Sequence, residues 1–169
     1  MVAYKASQVA GFIRKPDANV VAALVYGPEA PLVSERAREL TRRLAEGTQP
    51  EAEVQRIDDR DLAENPNLLA IELQTPSLFA ERRVIHVRGE GRLGVERLKE
   101  LLEGEVQALL VVEAGNLRPA SPVRKLFEEL KQCVALPCYA DAARDMGPLI
   151  DAELEAGGDV RDVVLRCYV

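Results

Sequence analysis

The run NVVAALVY, residues 19–26, is almost wholly apolar and stops at Gly27-Pro28. A strand without polar alternation has no face to offer water, so it must lie inside a sheet that is covered on both sides. Residues 53–58, 82–87, 108–114 and 133–136 read as four more strands, and helical stretches separate them. Residues 32–46 place Leu32, Ala37, Leu40 and Leu44 on one stripe, Asn65-Pro66 opens a helix reaching Leu73, and residues 95–102 form the next. In the last of these helices, residues 121–130, Ser121 stands at the cap and Pro122 in the first turn. Strands alternating with helices predict an α/β fold: a doubly wound, mostly parallel five-stranded sheet.

Pro137 bounds the fifth strand, and residues 146–156 read as a closing helix. The final residues, 157–169, are either a short strand-like run or the start of another segment. The expected division is therefore an α/β domain over residues 1–140 and a C-terminal segment over 141–169. A chain of 169 residues with 47% hydrophobic positions suits one such core and no second full one.

The same composition narrows the function. No apolar run approaches the roughly 18 residues needed to cross a bilayer. The opening MVAYKASQVAGF lacks the basic-then-apolar layout of a signal peptide, so a cytoplasmic protein without membrane contact is expected. A net charge of −6 argues against a free-standing nucleic-acid binder that neutralises many phosphates. Arg36, Arg38, Arg42 and Arg43 share the second helical stretch with Glu35 and Glu39, which reads as a solvated mixed-charge surface. Cys133, Cys138 and Cys167 have no CxxC spacing, and with a single histidine they are expected to be ordinary thiols rather than a metal site.

The segment VYGPEAPLVSER, residues 25–36, has the outline of a phosphate-binding loop. Such a loop reads G-x-x-x-x-G-K-[ST] between strand and helix, its amides cradling phosphates and its lysine pairing them. Here Gly27 and Ser34 hold the two ends, while Leu32 and Val33 stand at the glycine and lysine places. Pro28 and Pro31 remove two amide donors, and Glu29 adds a repelling carboxylate. The acidic pair needed for Mg²⁺ and for activating water is reduced to Glu113, followed by Ala114. Hydrolysis at this loop is not expected, nor is a bound cofactor; a plain strand–turn–helix with no nucleotide ancestry fits the spacing equally.

A second glycine motif competes with it. Gly89, Gly91 and Gly94 spell G-x-G-x-x-G between a strand and a helix, and Glu113 ends the following strand as a dinucleotide (NAD-type) fingerprint requires. Arg88 and Glu90 place charged side chains at the tight turn, and Leu93 precedes the last glycine, which favours a glycine-rich surface loop.

A third feature is QTPSLFAERR, residues 74–83. Thr75, Pro76 and Ser77 lead into Leu78 and Phe79, adjacent large apolar residues between a helix and a strand. On a projecting loop they would form an apolar tip of the kind that binds partners, and Pro76 favours a turned, projecting backbone. Folded back, one or both would join the core.

Taken together, YGPEAPLVSERA, TPSLFAERRVIHVR and LLVVEAGNLRPASPVRKLFE, in that order, resemble the delta subunit of the bacterial DNA polymerase III clamp loader. The resemblance extends from Met1 to about Glu155. It implies a domain like those of the AAA+ ATPases with a decayed nucleotide site, matching the losses at Leu32, Val33 and Ala114, and so a non-catalytic subunit of a polymerase holoenzyme. It also implies that Leu78 and Phe79 enter a pocket on the sliding clamp (the beta subunit) as a hydrophobic wedge, with Pro76 and Ser77 shaping the approach. Opening the ring would then let the clamp be placed on primed DNA during replication, DNA being met through the complex. Members of that family continue into a lid domain and a helical collar that joins the other loader subunits; by that comparison this chain resembles the N-terminal portion.

Overall fold

The computed structural model describes residues 4–77, 82–89, 91 and 93–139. These belong to the unit Met1–Tyr139. The expected closing helix over residues 146–156, the segment after it, Cys167, Leu78 and Phe79 lie outside the described residues.

Five strands form one parallel sheet: β1 (Ala22–Tyr26), β2 (Val54–Asp58), β3 (Arg83–Arg88), β4 (Ala108–Ala114) and β5 (Cys133–Pro137), in the spatial order β2-β3-β4-β1-β5. The expected α/β class is what forms, and the all-parallel sheet is compatible with P-loop and Rossmann-like folds. Every residue of β1, β4 and β5 is buried, as their apolar runs, broken in β4 by Glu113 alone, require. Period-two alternation divides the core between the two faces. Ala23, Val25, Val84, Leu109, Val111, Val134 and Leu136 meet helices α1 (Ala6–Arg14) and α2 (Ala30–Glu46) on one side. Leu24, Tyr26, Ile57, Ile85, Val87, Leu110 and Val112 meet α3 (Asp59–Glu64), α4 (Leu68–Gln74), α5 (Val95–Glu103) and α6 (Pro122–Glu129) on the other.

Three local expectations are corrected. The first described element is a helix absent from the expected order: Val9, Phe12 and Ile13 of α1 follow i, i+3, i+4 spacing and are buried beside α2. Pro66 does not sit in the first turn of a helix. It forces extended backbone on Asn65 (φ −135°, ψ 93°), which ends α3, and α4 starts only after Asn67. Helix α3 itself was not foreseen. Asp58 caps it by accepting from the Arg60 and Asp61 amides, and Asp61 returns a bond to the Asp58 amide.

On α2 the buried stripe is Val33, Ala37, Leu40, Thr41 and Ala45, with Leu32 and Leu44 only half-buried. The helix starts at Ala30 with Pro31 in its first turn, two residues earlier than expected, and Val33 lies on the buried stripe because it stands four residues before Ala37 and seven before Leu40. Its outer face is the mixed-charge surface foreseen: Arg42 is held between Glu39 at 2.7 Å and Glu46, and Arg43 lies 2.9 Å from Glu39. Such exposed pairs are screened by solvent and contribute little to stability. No helix among the described residues is long and apolar enough to cross a membrane. Cys133 and Cys138 are buried thiols, and burial pushes the Cys133 thiol up to about 12, so it is uncharged and inert.

Candidate functional site

In an open parallel sheet, ligands bind beyond the carboxyl ends of the strands, where neighbouring connections leave toward opposite faces. Here that point lies between β1, which leads to α2 on one face, and β4, which leads to α6 on the other. An open cleft of about 650 Å³ occurs beside it, bounded by the start of α2 and by the ends of β2, β3 and β4.

The loop from Gly27 to Ser34 enters this region, but its residues serve the fold. Gly27 is buried, and a Cβ there would lie 1.9 Å from the carbonyl oxygen of Cys138. Its own N–H donates to Gly115 O at 3.2 Å. The glycine therefore permits close approach of two backbones. Val33, at the lysine place, is 1% exposed in the core, and its amide donates to Glu29 O at 3.0 Å. Leu32 is half-buried against the same core, and Ala114 is buried in register with Tyr26. Pro28, Glu29, Ala30 and Pro31 are exposed.

Ser34 and Glu113, far apart in sequence, are brought together. The Ser34 hydroxyl donates to Glu113 Oε1 in a short bond, and His86 Nε2 lies 3.2 Å from Oε2. Arg88 Nε stands 3.5 Å from the same carboxylate, its side chain mostly solvated. A carboxylate only 9% exposed needs such partners, since an unpaired buried charge is far costlier than one that is paired and hydrogen-bonded. The chain's single histidine belongs to this cluster, which the sequence reading did not include. The signal was present: His86 and Arg88 occupy alternate positions of a strand whose intervening residues, Ile85 and Val87, are buried in the opposite core.

Burial in the sheet holds His86 below its ordinary value of 6.5, against the opposing pull of Glu113. A histidine kept neutral by folding costs stability when it must be protonated, so this contribution is complete above pH 6.5 and declines as pH falls below it. The carboxylates whose values folding lowers, Glu39 and Asp58, start from 4.5 and 3.8 and act only at lower pH. The denaturant midpoint is therefore expected to be level from pH 8 to 7 and to fall between about pH 6.5 and 5. His86→Gln should flatten that interval; an unchanged slope in the variant would assign it elsewhere.

Among the described glycines of the second motif, Gly89 adopts a positive φ of 104° and sits where a Cβ would meet the Asp59 carboxylate at 2.5 Å. Gly89→Ala should cost about 2 kcal/mol in a denaturation assay, from strained backbone and displacement of Asp59. Gly91 is exposed, and Gly94 is the N-cap of α5, which begins only after the third glycine. Glu113 directs its carboxylate to the α2 side of the sheet, whereas α5 covers the other side.

Residues 75–77 leave from the opposite end of the sheet. Thr75 closes α4, its hydroxyl donating to Ile71 O at 2.6 Å, and Thr75 and Pro76 are exposed while Ser77 is half-buried. The chain resumes at Arg82 and enters β3 at Arg83, which is ion-paired to Glu72 at 2.7 Å. Arg83 and Arg88 begin and end a six-residue strand, so this segment and the Glu113 cluster are separated by about 17 Å along the sheet. Ile71, one turn before Thr75 on α4, is 51% exposed.

No family model and no curated protein matches this chain.

Proposed function

We propose that the chain is a clamp-loader module of the delta type: an AAA+-like domain with a degenerate nucleotide site that binds a sliding clamp and opens its ring for loading onto primed DNA. It performs no ATP hydrolysis of its own and works in the cytoplasm beside other loader subunits of a DNA polymerase III holoenzyme. The observation that carries the non-catalytic half of this reading is Val33, buried in the core at the lysine place. The position of the phosphate-pairing cation is an aliphatic side chain in the core, and Ala114 follows Glu113 where a second carboxylate would activate water.

The clamp-binding half rests on residues 75–79. Thr75 and Pro76 are exposed at the end of α4, next to the exposed Ile71 and away from the cleft, which suits a partner of protein type. Leu78 and Phe79 are the wedge in this reading, with Pro76 and Ser77 directing it. The mechanism is differential affinity: tighter binding to the open ring interface than to the closed one shifts the clamp's population toward open. Calorimetric titration of the folded chain with the sliding clamp of its own organism tests it. Saturable binding is expected, and no heat at about 100 µM of both proteins would remove the reading, because a wedge that weak could not shift a ring equilibrium.

A further inference from the structure

The cleft at the strand ends has its own chemistry, which clamp binding does not use. By strand alternation Arg56, His86, Arg88 and Glu113 all face the α2 side, and the pairing registers Arg56 with His86 and Arg88 with Glu113. Helix α2 contributes Ser34 from its second turn and Arg38 from its third. Three guanidinium groups from three elements thus border one depression of about 650 Å³, a volume usual for small-molecule sites.

The carboxylates there are already committed. Asp58 accepts two backbone amides and Asp61 one, while Glu113 takes the Ser34 hydroxyl and His86. The arginines are less engaged. Arg88 is 73% exposed and only 3.5 Å from Glu113, Arg38 donates its Nε to the Ser34 carbonyl at 3.1 Å, and Arg56 is exposed. Their forked donors match phosphate oxygens, and the start of the 17-residue α2 adds the positive end of its dipole.

We propose that this cleft binds a small phosphorylated ligand, with Arg56 and Arg88 as the principal phosphate contacts and Arg38 as a third. The phosphate is held by side chains from β2, β3 and α2, so the lost amide cradle at Pro28 and Pro31 is not needed. A nucleic-acid strand is the poorer match. A polyanion follows an extended basic stripe, and further along α2 Arg42 and Arg43 are neutralised by Glu39 and Glu46.

Pyrophosphate is the minimal probe, titrated calorimetrically into the native chain at low salt, with ADP as the second. Saturable binding near 1 mM or tighter is expected, weakened about tenfold or more in Arg56→Ala/Arg88→Ala and unchanged in Arg14→Ala, a control on α1. Both cleft arginines are exposed, so the double variant should fold, and its circular dichroism checks this. Absence of binding up to about 10 mM by the native chain would overturn the proposal, as would binding that the double variant retains. Binding of a single-stranded oligonucleotide that pyrophosphate does not displace would overturn it in favour of nucleic acid. The result is independent of the clamp titration, because these side chains stand at the opposite end of the sheet from Thr75 and Pro76.

Discussion

Gly27→Ala is expected to lower the unfolding free energy by about 3 kcal/mol and the thermal midpoint by about 10 °C. The added Cβ would lie 1.9 Å from the Cys138 carbonyl oxygen, 2.8 Å from its carbon and 3.3 Å from its Cα. All three are backbone atoms, so no side chain can turn aside to make room. Both chains are also held in place: the Gly27 amide donates to Gly115 O, and the Cys138 amide donates to Tyr26 O at 2.7 Å. Gly27 is not among the positive-φ glycines, so the cost is steric rather than conformational. Chemical denaturation of the variant measures it. The first glycine of a working phosphate loop would instead be expected to fail in ligand binding while the fold persisted. A loss below about 0.5 kcal/mol would mean that the chain after β5 yields, and that Gly27 is not there to admit it.

What the sequence made legible followed from local rules. Residues 108–114 were read to the residue as β4, and Val95 as the start of α5, because an apolar run and an amphipathic period carry their own boundaries. The breaks were harder. Asn65-Pro66 looks the same whether it opens a helix or separates two, and only the cap built by Asp58 and Asp61 decides it. Helix α1 is short, and Val9, Phe12 and Ile13 are too few to mark a period without the neighbours they pack on.

The candidate site divides in the same way. Ser34 and Glu113 were legible because each sits at a motif position. His86 and Arg88 join them only through strand pairing, since β4 lies between β3 and β1, and nothing local says which strands become neighbours. Val33 shows the reverse case. Its identity marked the missing lysine, but its place in the core follows from the stripe it shares with Ala37 and Leu40 once α2 packs on the sheet.

The double variant Leu78→Ala/Phe79→Ala should bind the sliding clamp at least about thirtyfold more weakly than the native chain, a loss of roughly 2 kcal/mol or more. Burying a leucine or phenylalanine side chain contributes about 1.5 to 3 kcal/mol by area, so two anchors that both enter a pocket could lose more. The lower figure allows for anchors that keep part of their area in contact once truncated. The α4 end and the start of β3 are fixed by Leu73 in the core and by the Arg83–Glu72 ion pair, which hold the approach to this segment in place. Truncation should therefore act on affinity with little change in stability, and the two can be read separately. The cleft variant Arg56→Ala/Arg88→Ala serves as a control at the other end of the sheet and should bind the clamp as the native chain does. If instead the cleft variant loses clamp binding and the Leu78/Phe79 variant keeps it, the contact surface lies at the strand carboxyl ends, and residues 75–79 are not the wedge.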